Sequence, residues 1–262
     1  MTMTISEAFA RARQENRAAL IPYITAGYPS LEHLESLVKA LEAGGADLIE
    51  IGVPFSDPLA DGPILQQAAT EALARGVKVQ QIFDRVKDLA VSVPLIFLTY
   101  VNPIYRRGID RFITDSRRSG VQGLIVPDWP WNEMREAQET AQSQGVAMIP
   151  LVAPTSTDAH LKDIRNAAGF VYTVSVTGVT GARSQLNHGV GPLVERIRQH
   201  VHIPIAVGFG ISTPEQARET GRVADGVIVG SALVRVIRDN RDDPSGSAES
   251  FVRAFRDALE TK

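Results

Sequence analysis

Short apolar runs alternate with amphipathic stretches along the whole chain. Eight runs read as strands: residues 20–25, 48–51, 94–99, 123–126, 147–152, 170–174, 204–207 and 226–229. Most are continuously apolar, as in Leu95-Ile96-Phe97-Leu98. That is the pattern of a strand buried on both faces, as in a parallel sheet covered by helices. The stretches 63–74, 109–119, 132–144, 157–167, 191–200 and 214–220 are read as helices between them. Another helix follows the first strand, opened by Ser30 as N-cap and closed by Gly44-Gly45. Ile5, Phe9 and Ala12 share one helical face, so residues 4–16 predict a short helix packed on the body of the protein.

Strand–helix alternation implies right-handed crossovers and a parallel sheet. Two architectures satisfy it: a closed (β/α)8 TIM barrel and an open doubly wound sheet. Eight units and the lack of an early dinucleotide fingerprint favour the barrel, as a single domain over residues 1–262. Weak internal echoes fit repeated units, among them Gly45-Ala46-Asp47-Leu48-Ile49 and Ala224-Asp225-Gly226-Val227-Ile228.

Composition then narrows the function. With 44% hydrophobic and 22% charged residues over 262 positions, the chain is globular and long enough for a large core. A net charge of −3 provides no basic field for a nucleic-acid partner. The chain has no cysteine, which removes disulfides, thiolate nucleophiles and iron–sulfur clusters and fits a reducing cytoplasm. No apolar run approaches the roughly 18 residues that span a bilayer. The N-terminal segment lacks a signal-peptide core and mixes Glu7 and Glu15 with its arginines, so a cytoplasmic location is expected.

In a barrel the chemistry sits at the C-terminal ends of the strands. Glu50 interrupts an otherwise apolar strand, Leu48-Ile49-Glu50-Ile51. If Ile49 and Ile51 pack under the helices, alternation points Glu50 into the barrel. Desolvation would raise its pKa toward neutrality, which suits a group that gives and takes a proton. The competing reading is a structural Glu paired with a buried cation, but no basic residue stands at another strand end. The next loop carries Asp57 and Asp61 among three prolines. Asp61 either makes an Asp-Gly turn or holds a second carboxylate over the same mouth, and Asp57, beside Pro58, leans toward a turn.

Glycine-rich turns follow the last three strands: Gly178 to Gly181, Gly208-Phe209-Gly210, and Gly230-Ser231 at a helix start. Such turns let backbone N–H groups approach an anion, and barrels build phosphate sites after strands seven and eight. The long loop from Gly178 to Gly191 reads as a lid, with Arg183 and His188 as surface residues. The histidines have no metal-ligand spacing, so no metal site is expected.

The run from Glu50 to Pro63, Glu-Ile-Gly-Val-Pro-Phe-Ser-Asp-Pro-Leu-Ala-Asp-Gly-Pro, closely resembles the signature of the tryptophan synthase α subunit family. Tyr100-Val101-Asn102-Pro103, Gly178-Val179-Thr180-Gly181, Gly208-Phe209-Gly210-Ile211-Ser212 and Gly230-Ser231 extend the resemblance over essentially the whole chain. It implies a carbon–carbon lyase that cleaves indole-3-glycerol phosphate to indole and glyceraldehyde 3-phosphate by a retro-aldol reaction. It implies that Glu50 is the acid–base group, that Asp61 faces the indole N–H, and that Tyr172 lies near the reacting carbons. By the same resemblance Gly181, Gly210, Gly230 and Ser231 surround the phosphate, and Tyr23, Leu98, Tyr100 and Thr180 line the indole pocket or its lid. Tyr23 departs from the Phe of many members, and Val176 stands where some carry Arg.

The resemblance also implies a β partner in an αββα heterotetramer, reached through the loops around Asp57-Pro58 and Asn102-Pro103. Pyridoxal phosphate belongs on that partner. No cofactor is expected on this chain, which has no strand-end Lys placed for a Schiff base. The alternatives are a related phosphate-binding barrel that isomerises sugar phosphates, a stand-alone lyase, and a non-catalytic activator of a β subunit.

Overall fold

A computed structural model describes residues 2–174, 186–208 and 210–260. Nine short strands are present among them: β1 (Ala19–Thr25), β2 (Ile49–Gly52), β3 (Leu95–Leu98), β4 (Val121–Ile125), β5 (Ala147–Met148), β6 (Leu151–Val152), β7 (Val171–Val174), β8 (Ile205–Gly208) and β9 (Gly226–Val229). They form one sheet in the order β5-β4-β3-β2-β1-β9-β8-β7-β6, and the paired neighbours run parallel. The two end strands are halves of a single extended segment. Its first half pairs with β4 and its second half with β7, so the sheet closes on itself. Ile149 N–H donates to the Leu124 carbonyl, and Tyr172 N–H donates to the Pro150 carbonyl, at 2.9 Å each. The single strand expected over 147–152 is thus divided at Pro150, which has no N–H for the ladder. The architecture is the predicted barrel rather than an open sheet.

The helices are α1 (Ile5–Gln14), α2 (Leu34–Ala43), α3 (Pro63–Ala74), α4 (Val79–Lys87), α5 (Val101–Arg107), α6 (Ile109–Arg118), α7 (Arg135–Ser143), α8 (Asp158–Asp163), α9 (Leu186–Arg198), α10 (Pro214–Gly221), α11 (Ser231–Asp239) and α12 (Pro244–Glu260). Pro63 opens α3 at its first position, where its missing N–H costs nothing. Two expected helices are shorter: α7 is preceded by a separate 3-10 turn at Trp131–Glu133, and α8 ends at Asp163 rather than 167. Ser30 heads a 3-10 turn, Leu31–His33, without capping it through its side chain. Its hydroxyl lies 2.9 Å from His33 Nδ1 instead. Three helices lay outside the predicted set: α4, α5 and α12. Two of them carry clear stripes, Ile82, Phe83 and Val86 on α4 and Ala248, Val252, Phe255 and Leu259 on α12. Helix α12 packs against α2, α10 and α11.

Helix α1 closes the N-terminal end of the barrel. Thr4 caps it, with Glu7 completing the reciprocal capping box. Ile5, Ala8, Phe9 and Ala12 are buried, and the Phe9 ring lies 5.4 Å from that of Phe170. A Cβ on Gly226 would come within 3.0 Å of the Phe9 ring and 3.1 Å of Ala206, so the start of β9 must be bare for α1 to seat.

Beside this plug lies a buried ion pair. Asp47 is fully buried at the entrance to β2 and accepts from Arg17 at 2.6 and 2.9 Å, from Arg11 at 2.8 Å and from the Leu20 N–H at 2.8 Å. Burial alone would raise the Asp47 pKa, but hydrogen bonding and charge from Arg17 prevail, and the carboxyl sits below its ordinary value. A depressed carboxyl contributes stability above the unfolded-state pKa and loses it as pH falls through the folded-state value. Asp47→Asn is therefore expected to cost about 3 kcal/mol at neutral pH, because the buried Arg17 loses its fully buried counter-charge and keeps only the half-exposed Glu15. Urea unfolding at pH 7 and at low pH checks this: the gap between variant and wild type should narrow in acid. An equal gap at both pH values would contradict it.

Candidate active site

At the other end of the barrel the strands deliver a different carboxylate. Tyr23 of β1 pairs in register with Glu50 of β2, so both side chains point inward. Ile49 and Ile51 face the helices and are fully buried. Glu50 is only 1% exposed, and neither carboxylate oxygen has a hydrogen-bond partner. The expected alternative, a Glu neutralised by a buried cation, is not what the fold contains; that arrangement belongs to Asp47, three residues earlier. Burial pushes the Glu50 pKa up to about 8, with the charge of Asp61 adding to the shift.

Asp61 reaches the same mouth from the loop between β2 and α3. The loop turns through hydrogen bonds from Leu59 N–H to the Asp57 carbonyl and from Asp61 N–H to the Pro58 carbonyl, at 3.0 Å each. Asp57 is exposed and takes the turn role. Phe55 stacks on Tyr100 with ring centres 5.3 Å apart. The Tyr100 hydroxyl accepts from Ala60 N–H at 3.3 Å and donates to the Asp61 carboxylate. Burial pushes the Asp61 pKa up to about 6 against the lowering effect of that hydrogen bond. Tyr100 thus stands behind the loop and positions Asp61, rather than lining the cavity as expected.

Two more hydroxyls flank Glu50. The Tyr23 hydroxyl lies 3.2 Å from Thr25 Oγ1. Burial holds both Tyr23 and Tyr172 far above the usual phenol pKa, reinforced chiefly by the charge of Asp61 for Tyr23 and of Glu50 for Tyr172. Both therefore stay neutral. Each ring lies over a strand-end glycine: a Cβ on Gly52 would overlap the Tyr23 hydroxyl, and one on Gly208 would sit 2.7 Å from the Tyr172 hydroxyl.

These groups border a cavity of about 570 Å³. Leu98, Leu65, Pro127 and Ile228 give it an apolar side. Gly210, Gly230, Ser231 and Arg235 lie on its wall as well. Helix α11 begins at Ser231, and its N-cap, Gly230, provides no side chain for the first N–H groups. Those free donors and the helix dipole make that end a natural anion seat. Of the expected site residues, Tyr23, Glu50, Asp61, Leu98, Tyr172, Gly210, Gly230 and Ser231 meet around this one cavity. Thr180 and Gly181 lie outside the described residues, as do Val176 and Arg183. Arg235 was missed by sequence reasoning. Its signal was helical spacing, four residues after Ser231 on the same face of α11.

A larger groove of about 1020 Å³ opens at the α1 end of the barrel, lined by Arg13, Arg17, Arg198, Arg218 and Arg222. Its carboxylate, Asp225, is held by Arg198 at 3.1 Å and by Ile205 N–H at 2.9 Å. It offers no free acid, so the chemistry belongs to the other end. Among the described residues no cluster of three or more His, Cys, Asp or Glu side chains could hold a metal ion. No helix among them is long and apolar enough to cross a membrane.

A closed parallel barrel with a buried, unpaired carboxyl facing a second carboxyl across an apolar cavity defines a (β/α)8-barrel enzyme of the acid–base type. The comparisons with known proteins name its kind. The chain belongs to the tryptophan synthase alpha chain family, whose family model matches residues 9–260. It is 46% identical to the tryptophan synthase alpha chain of Picosynechococcus sp., over 98% of this chain and 99% of that one. The Methanosarcina acetivorans alpha chain is also 46% identical, over 90% of this chain and 86% of that one. Among solved structures, Mycobacterium tuberculosis tryptophan synthase superposes with a TM-score of 0.90 at 35% identity, covering all of both chains. Tryptophan synthase subunit alpha from Legionella pneumophila superposes with a TM-score of 0.89 at 32% identity, again over both full chains.

Proposed function

We propose that this chain cleaves indole-3-glycerol phosphate to indole and glyceraldehyde 3-phosphate, with Glu50 moving both protons. The observation that carries this reading is the Glu50 carboxyl, buried without a hydrogen-bond partner and raised to about 8 at the mouth of an apolar cavity. At neutral pH Glu50 holds a proton while Asp61, near 6, is ionised. Glu50 gives its proton to indole C3, and positive charge appears on the ring nitrogen. The Asp61 carboxylate faces that N–H and offsets the charge. The Glu50 carboxylate then takes the proton of the hydroxyl on the adjacent side-chain carbon. The carbon–carbon bond to C3 breaks, its electron pair returns to the ring, and an aldehyde is left on the phosphorylated fragment. Glu50 ends protonated and ready for another cycle. Tyr172 lines the same cavity as Glu50, and on this reading it stands close to the reacting carbons. The backbone at Gly210, Gly230 and Ser231 would then receive the phosphate.

The reading includes a β partner that holds pyridoxal phosphate, in an αββα assembly within the cytoplasm. Its surface support is the exposed apolar side chains. Leu59 is 79% exposed on the β2–α3 loop, and Tyr105 is 55% exposed on α5. Both fall beside the two loops that the family resemblance assigns to the β contact.

Incubating the protein with indole-3-glycerol phosphate and following indole release tests the activity, alone and with a matched β subunit. Indole in both cases, faster with the partner, is the expected result. Release that the partner does not change would favour the stand-alone lyase. No indole under either condition would sink the reading.

A further inference from the structure

The substrate proposed above is a phosphate dianion, yet the cavity that receives it holds two carboxyl groups. Burial already raises both, and the charge of Asp61 adds to the rise at Glu50. Bringing a dianion into the same mouth adds more negative charge. Backbone N–H groups at the start of α11 offer partial charges only, equivalent to about half a unit at a helix N-terminus. The described wall of the cavity contains one side chain with a full positive charge, Arg235.

Its placement is specific. Arg235 stands one helical turn after Ser231, which lines the same cavity. Side chains on an α-helix lean toward the helix N-terminus, so Arg235 extends back over the first turn. That is the end where the free N–H groups of α11 lie. Among the described residues its guanidinium makes no hydrogen bond or ion pair, although other arginines of the same helical layer are engaged: Arg238 binds Asp239 at 2.8 Å, and Arg241 binds Glu71 at 2.9 Å. Asp239, one turn further along, feels the charge of Arg235 but is hydrogen-bonded by Arg238. The five donors of Arg235 make no hydrogen bond among the described residues and can meet an oxyanion.

We propose that Arg235 is a substrate-binding residue that supplies the charge for the phosphate dianion, while the α11 N-terminus supplies its direction. This rests on the phosphorylated substrate of the reading above and adds to it the residue that recognises the dianion. A charge-assisted hydrogen bond from an arginine on the solvent edge is worth about a tenfold change in affinity. The arginine also offsets the dianion's effect on the two carboxyls, so its loss falls mainly on substrate binding.

The test uses the full chain and two readouts. In Arg235→Ala, affinity for inorganic phosphate, measured by calorimetry at low salt, should fall about tenfold. In the same variant KM for indole-3-glycerol phosphate should rise by a similar factor, with a smaller loss in kcat. Arg235→Lys should recover most of both, because it restores the charge without the fork. Thermal stability should stay near the wild-type level in both variants, since the side chain is exposed and makes no hydrogen bond or ion pair among the described residues. Unchanged phosphate affinity and unchanged KM in Arg235→Ala would overturn the proposal. A wild type that binds phosphate but releases no indole would count against the cleavage reaction alone, and the phosphate arm would still decide the role of Arg235.

Discussion

Glu50→Gln is expected to lower indole release by about a thousandfold, the range for removing a single group that acts as both acid and base. Gln keeps the shape and the buried position but cannot give a proton to carbon. The same variant should be more stable than wild type at neutral and alkaline pH. The carboxyl rises from an ordinary value of 4.5 to about 8 on folding. Between those values the folded state binds the extra proton, so folding stability falls as pH rises. Glu50→Gln removes that loss, which amounts to roughly 3 kcal/mol at pH 7 and vanishes below the ordinary carboxyl value. Steady-state indole assays and thermal melts at pH 5, 7 and 9 check both arms. A variant that turns over at the wild-type rate refutes the assignment. Equal stability at all three pH values would mean that Glu50 is neither buried nor unpaired in solution.

For Asp61→Asn the expected loss in turnover is about a hundredfold, in the range found for removing one preorganised electrostatic partner of a transition state. Asn preserves the acceptor from the Tyr100 hydroxyl but not the negative charge. The wild-type rate should depend on pH as a bell. It should rise as the more acidic group of the pair, near 6, ionises, and fall as the more basic group, near 8, loses its proton. In Asp61→Asn the acidic limb should disappear. The basic limb should move to lower pH, because Asp61 no longer raises Glu50. Single-turnover rates across pH 5 to 9 show this directly. An acidic limb that persists in the variant would show that Asp61 is not its source.

Much of this was readable from the chain. Continuous apolar runs located all eight barrel strands within one or two residues, because a strand buried on both faces tolerates little else. Alternation within β2 aimed Glu50 into the barrel. The missed helices had a different cause. Helix α5 is a single short run interrupted by Asn102 and Pro103, while α4 is a second helix between β2 and β3 and α12 follows the last unit of a pattern that already appeared complete. Asp61 could not be assigned from local rules. Its Asp-Gly-Pro setting is equally that of a turn, and it is a turn; the hydrogen bond from Tyr100, which comes from the end of another strand, makes it part of the site. The role expected for Tyr100 shifted for the same reason.

The two carboxylates of the β2 region draw the line most clearly. Asp47 and Glu50 are three residues apart in one apolar stretch, and both are buried. By itself the sequence determined that one acid, Glu50, sits where an apolar residue belongs, and alternation gave it its direction. Only the tertiary structure decided which acid keeps its charge. Arg11 and Arg17 reach Asp47 from α1 and the turn after it, and they hold it ionised at the closed end of the barrel. Among the described residues no cation reaches Glu50, and desolvation keeps its proton on. A carboxyl buried in a low-dielectric interior takes its protonation state from the charges packed around it, and those come from distant parts of the chain.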